Sequence, residues 1–157
     1  LNDLYWRAEN RTHQWWTLPF VPGKRYLDKD VYILTSKRTF SAAEEFTYNL
    51  KNLKRAIVVG ETTGGGAHPG EFYRLNEHFG MFLPTGRAIN PITKTNWEGT
   101  GVTPDIAVTT DEALKTAQLI ATKKIIAQTT DAEFRQALEV QQQTLEKELS
   151  EIKKAAK

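Results

Sequence analysis

Ser41 opens an amphipathic stretch in the run Ser41-Ala42-Ala43-Glu44, and that spacing suits two kinds of chemistry. The plainer one is a capping box, with Ser41 as N-cap and Glu44 at the third helical position, each side chain satisfying a backbone donor of the other. The reactive one uses the same geometry, because a hydroxyl beside the unpaired N–H groups and the positive end of a helix sits where a developing oxyanion is stabilised. An alcohol becomes a nucleophile only when a base removes its proton. Of the three histidines, His13, His68 and His78, it is His68 that lies in a loop from which a side chain can face a cleft. A lone loop histidine equally serves as a solvated or locally hydrogen-bonded group. The histidines share no spacing with carboxylates that would ligate a metal, and no H-E-x-x-H run occurs, so neither a metal nor a cofactor is expected.

The loop from Gly60 to Gly70 carries five glycines and Pro69, which precludes regular structure. It fails as a P-loop, because Gly66 and Ala67 stand where Lys and Ser/Thr are needed. It fails as a dinucleotide loop as well, with Pro69 at the third glycine position and no helix following. What remains is close backbone approach, either to a neighbouring strand in a purely structural role or to an extended ligand. Gly64, Gly65, Gly66 and His68 are the substrate-contact candidates of the second reading.

The elements around these groups have to position them. Val31–Leu34 and Ala56–Val59 read as strands buried on both faces, and between them Phe46, Leu50 and Leu53 form the apolar stripe of a helix. Strand, helix, strand in that order predicts a parallel pairing. Short strands follow at Phe72–Leu75, Gly80–Leu83 and Arg87–Asn90, separated by turn-forming residues. Three regions result: an aromatic segment over 1–30 leading from an upstream part, a core over 31–109, and C-terminal helices over 110–157. The helices are expected from about Asp111 to Gln128 and from Asp131 to the C-terminus, with a capping box from Thr130 to Glu133. Leu138, Leu145, Leu149 and Ile152 form a stripe that either covers the core or joins a second copy into a homo-oligomer.

Composition narrows the classes of function. The 157 residues carry a formal net charge of +2 and no cysteine, which removes disulfides, thiolate metal sites and cysteine nucleophiles. Isolated basic pairs without interleaved aromatics give no support for nucleic acid. No apolar run approaches the ~20 residues that span a bilayer, so no membrane insertion is expected. The chain begins at Leu1 and is read as a piece of a longer protein.

Three runs, Thr35-Ser36-Lys37-Arg38-Thr39-Phe40-Ser41-Ala42-Ala43-Glu44-Glu45-Phe46, Arg55 through Gly66, and Gly99-Thr100-Gly101-Val102-Thr103-Pro104-Asp105-Ile106, occur in an order that resembles the tail-specific (C-terminal-processing) serine peptidases. The resemblance is to the branch named for interphotoreceptor retinoid-binding protein. It implies an α/β fold, part of a crotonase-like spiral of ββα units with a C-terminal helical extension. It also implies a nucleophile at Ser41, an oxyanion donor at the Ala42 N–H and a peptide or protein substrate. The lysine base of the bacterial processing peptidases would fall 25 residues after the serine, where this chain has Gly66. The related tricorn-type arrangement uses an upstream histidine, oriented through a second serine and a distant glutamate; Glu98, 57 residues after Ser41, takes that place. The Arg-x-Asn-x-Gly-Gly-type segment of the family matches nothing in Leu1–Asp30, so the base is expected upstream of this chain, with His68 the in-chain substitute. Vertebrate members of the branch are associated with retinoids and fatty acids, so a non-catalytic apolar-ligand module is the alternative. A periplasmic or extracellular setting follows from the resemblance alone.

Overall fold

Residues 1–155 are described by the computed structural model. In chain order they form β1 (Asn2–Trp6), β2 (Arg11–Trp15), β3 (Tyr32–Thr35), α1 (Ala42–Asn52), β4 (Ile57–Gly60), β5 (Gly70–Arg74), β6 (Gly80–Pro84), β7 (Gly86–Ile89), β8 (Ile106–Ala107), α2 (Thr110–Gln128) and α3 (Ala132–Ala155). Two compact units divide them, the first holding 1–29, 39–55 and 63–102, the second 30–38, 56–62 and Thr103 onward.

In the first unit β1 is the middle strand of an antiparallel sheet ordered β2-β1-β7, with Leu4 opposite both His13 and Ala88. This hairpin at the start of the chain departs from the aromatic connection expected there. Asn2 and Asp3 are weak strand formers and dilute the signal of Tyr5, Trp6, Thr12 and Trp15, which do favour strands. The expected pair near residues 72 and 80 does form the β5–β6 hairpin, with Phe72 opposite Phe82. Asn76 closes its turn by accepting the His78 and Phe79 N–H groups at 2.9 Å. The next strand, β7, pairs with β1 instead of extending that hairpin. Ala67, Ala88, Trp97 and Val102 make the core, with Leu4 and Tyr48 packed against it.

Helix α1 reverses the expected orientation. Phe46 and Leu53 of the apolar stripe are exposed, and the buried residues of the helix are Glu44, Thr47 and Asn49. The buried face is polar because it is hydrogen-bonded throughout: Asn49 Oδ1 accepts from Asn90 Nδ2 at 2.9 Å, and Thr47 bonds the Ala43 carbonyl at 2.8 Å. Tyr48 sits between them in sequence, tilted against Trp97 at 5.4 Å between ring centroids.

In the second unit β3, β4 and β8 form a parallel sheet in that order, with Ile33 opposite Val58, as the strand–helix–strand pattern predicts. Val58 and Val59 are fully buried. At Gly60, φ is +137° and an added Cβ would lie 2.0 Å from the Thr35 carbonyl oxygen, so only glycine lets β3 and β4 close at their ends. Ala113 and Ala117 of α2 pack on Val59 together with Tyr32, Ile106 and Val108. The α2 N-terminus is closed by Glu112, whose Oε2 accepts the Thr109 hydroxyl at 2.7 Å and the Thr109 N–H at 3.0 Å. Those bonds hold the Glu112 carboxyl below the usual carboxylate range. Helix α3 is capped not by Thr130 but by Asp131, whose Oδ1 accepts the Phe134 N–H at 3.0 Å. It runs along α2 with Leu138, Leu145 and Leu149 buried, and the last two residues of the expected helix lie outside the described residues.

Candidate active site

Ser41 is the N-cap of α1 and has φ +57° and ψ −122°. That conformation is natural to glycine and costs a side-chain-bearing residue on the order of 1–3 kcal/mol. A sharp, strained turn into a helix start is also how hydrolase folds present a nucleophilic serine clear of the backbone. Ser41 is solvent-exposed here. Ala42, the first helical residue, has an N–H with no intrahelical acceptor, which leaves a donor next to the hydroxyl.

The turn is held by Glu44. Ser41 and Glu44 meet as a capping box, but the firm half is the 2.9 Å bond from the Ser41 N–H to Glu44 Oε2. The reciprocal hydroxyl approach falls short of a hydrogen bond, and the Glu44 N–H closes on the Ser41 carbonyl at 2.9 Å. Glu44 is fully buried and its other bonds reach the glycine loop. Oε2 also accepts the Gly66 N–H at 2.8 Å, while Oε1 accepts the Gly65 N–H at 2.7 Å and the Thr63 hydroxyl. A carboxylate offers about four lone-pair sites, and all are filled. One side chain thereby ties the strained serine turn to the loop, a role the capping-box spacing disclosed only in its local half.

The loop has few free backbone groups. The Gly64 N–H bonds the Thr39 carbonyl, the Gly65 carbonyl takes the Gly99 N–H, and the Gly66 carbonyl takes the Trp97 indole, each at 2.9 Å. With Glu44 holding the Gly65 and Gly66 amides, the N–H groups of Gly64, Gly65 and Gly66 are all engaged within the chain. At Gly66 an added Cβ would lie 2.2 Å from the Phe40 ring. The phenylalanine before the serine fills the space that a side chain at the lysine position would need.

Glu98 Oε2 accepts the Ala67 N–H at 2.6 Å and the His68 N–H at 3.1 Å, and stands 3.8 Å from His68 Nδ1. Glu98 thus lies beside the loop histidine. Ser41, Ala42, Gly66, His68 and Glu98 all line one crevice of about 570 Å³. Leu4, Phe40, Phe82, Pro84 and Trp97 make its apolar walls, and Glu45 is a further carboxylate on it. Gly64 and Gly65 do not line it. His13 lies on β2, 3.4 Å from Glu9, and His78 in the β5–β6 turn, both away from the crevice lining.

Residues 6–108, about two thirds of the chain, match peptidase family S41. Among solved structures, mature CPAF complexed with lactacystin is 24% identical, with a TM-score of 0.54 over 69% of this chain and 22% of that one. A lipoprotein from Streptococcus agalactiae is 19% identical, with a TM-score of 0.56 over 79% of this chain and 45% of its own. A photosystem II D1 C-terminal processing protease is 25% identical over 54% of this chain and 22% of that chain, with a TM-score of 0.46. The likeness to the first two is one of fold, a mixed α/β arrangement, and the chain spans from about a fifth to under half of the structures it matches. By the match over residues 6–108, the chain belongs to peptidase family S41.

Proposed function

We propose that this chain carries the nucleophile half of a serine peptidase site. Ser41 attacks the scissile carbonyl, the Ala42 N–H stabilises the oxyanion, and Glu98 supplies the carboxylate of a Ser/His/Glu arrangement. The histidine of that arrangement comes either from a preceding segment, as the family resemblance implies, or from His68. The observation that carries the reading is the strained, exposed Ser41 at a helix N-terminus, in one crevice with Glu98. The substrate is a peptide or protein segment lying in that crevice, with apolar side chains against Phe40, Phe82 and Trp97. By the same reading the fold is part of a crotonase-like spiral of the retinoid-binding-protein branch, and the protein acts outside the cytoplasm. Replacing Ser41 by Ala should lower peptide turnover by several orders of magnitude, as loss of a nucleophile does.

The apolar crevice walls favour one second reading, an apolar-ligand module in which Ser41 is only a cap. A binder keeps its affinity for a fatty acid after Ser41→Ala and shows no turnover before it. Retained turnover in the variant contradicts the peptidase reading.

A further inference from the structure

We infer that His68 is the general base for Ser41, so that this chain holds its own Ser41–His68–Glu98 constellation. The inference deepens the peptidase reading and rests on Ser41 being the nucleophile.

Three observations carry it. First, His68 is the one histidine lining the crevice that Ser41 opens into, and among the described residues no lysine lines it. Second, Glu98 holds the His68 backbone N–H at 3.1 Å and stands 3.8 Å from ring Nδ1. The second contact has ion-pair length, and such contacts are commonly loose before substrate binds. With Nδ1 turned to the carboxylate, Nε2 is the nitrogen left to take a proton, and the carboxylate stabilises the imidazolium that results. Third, position 66, where the bacterial processing peptidases carry their lysine, is a glycine and supplies no side chain to accept a proton. The other charged groups near the ring are Arg87 and Lys94, across a hollow of about 400 Å³ that His68 and Glu98 also line, and Glu45 on the crevice wall. None of them faces Nδ1 as Glu98 does.

The steps balance within the chain and water. As Ser41 Oγ bonds to the carbonyl carbon, its proton passes to His68 Nε2. Collapse of the tetrahedral adduct breaks the C–N bond, and the same proton goes to the departing amine. Water then attacks the acyl-serine ester, giving a proton to Nε2, which returns it to Ser41 Oγ as the carboxylic acid leaves.

The test is the rate at which an alkyl fluorophosphonate, which loses fluoride on attack by an activated serine, labels Ser41 in this 157-residue chain. His68→Ala should slow labelling by at least ~10²-fold, the lower end of what a general base contributes. Added imidazole should restore part of the rate, which no loss of loop packing would allow. His68→Gln, which keeps the size of the side chain, should be as slow, with a thermal melt close to that of the parent. Equal labelling of Ser41 in the parent and in either His68 variant overturns the assignment while leaving the peptidase reading intact. No labelling of Ser41 in the parent chain also overturns it, since base and nucleophile are then not both present. Labelling that persists in Ser41→Ala instead removes the nucleophile, and the peptidase reading with it.

Discussion

Glu44 illustrates how a single buried charge is held at the scale of a residue. Four donors, the Ser41, Gly65 and Gly66 amides and the Thr63 hydroxyl, replace the water it has lost. Hydrogen bonds to a charged group are worth ~1.5–3 kcal/mol each, and an unsatisfied buried donor costs a comparable amount. Glu44→Ala should therefore destabilise the fold by roughly 3 kcal/mol or more, read as a fall in chemical-denaturation midpoint. It should also release the Ser41 turn, so labelling of Ser41 should drop more than the unfolded fraction explains. A second residue-scale prediction concerns Gly66. Installing a lysine there should force the Phe40 ring to move, because a Cβ at position 66 would meet it. Overpacking of that kind costs about 1–3 kcal/mol, so Gly66→Lys should melt earlier than the parent. Adding Phe40→Ala should recover part of the loss. A double variant no better than Gly66→Lys would show that Phe40 is not the obstacle.

At the scale of elements, α2 depends on its cap and on the parallel sheet it covers. Glu112 is ionised more readily in the folded chain because Thr109 donates to it twice. A carboxyl lowered on folding stabilises above its unfolded range, and that contribution is lost as pH falls through the lowered value. Glu112→Gln should thus lower the melting temperature at neutral pH and flatten its decline toward acid; an unchanged acid decline would show that the cap is not coupled to stability. Ala113 and Ala117 pack on Val59, so ending the chain after Val108 should uncover the parallel sheet and give aggregates. A monodisperse truncated chain would mean instead that the helices serve only for association.

The strands β3 and β4 and both C-terminal helices were legible from their β-branched runs and leucine spacing, but burial on both strand faces was not met, since Leu34 and Ile57 are exposed. The β1–β2 hairpin was not legible, since the polar Asn2, Asp3 and Arg11 interrupt its strand pattern and β1 is also held by β7, far along the chain. Helix α1 buries a different face from the one its apolar stripe marks. Its Phe46–Leu50–Leu53 stripe obeys the periodicity rule, yet the bonds from Glu44 and Asn49 to distant loops decide which side is buried. Of the site, Ser41 and Glu98 were visible as motif positions, whereas the proximity of Glu98 to His68 depends on a turn that no local pattern encodes.

For the molecule as a whole, S41 membership covers residues 6–108 and leaves α2 and α3 outside the match. A net charge of +2 gives these 157 residues no strong field to steer a charged partner. If Ser41 is the nucleophile, peptide mapping of the protein after exposure to a fluorophosphonate will find it. The mass of one phosphonyl adduct is predicted on the tryptic peptide containing Ser41, lost on Ser41→Ala; an adduct on another residue, or an unmodified Ser41 in protein that cleaves peptides, would contradict it.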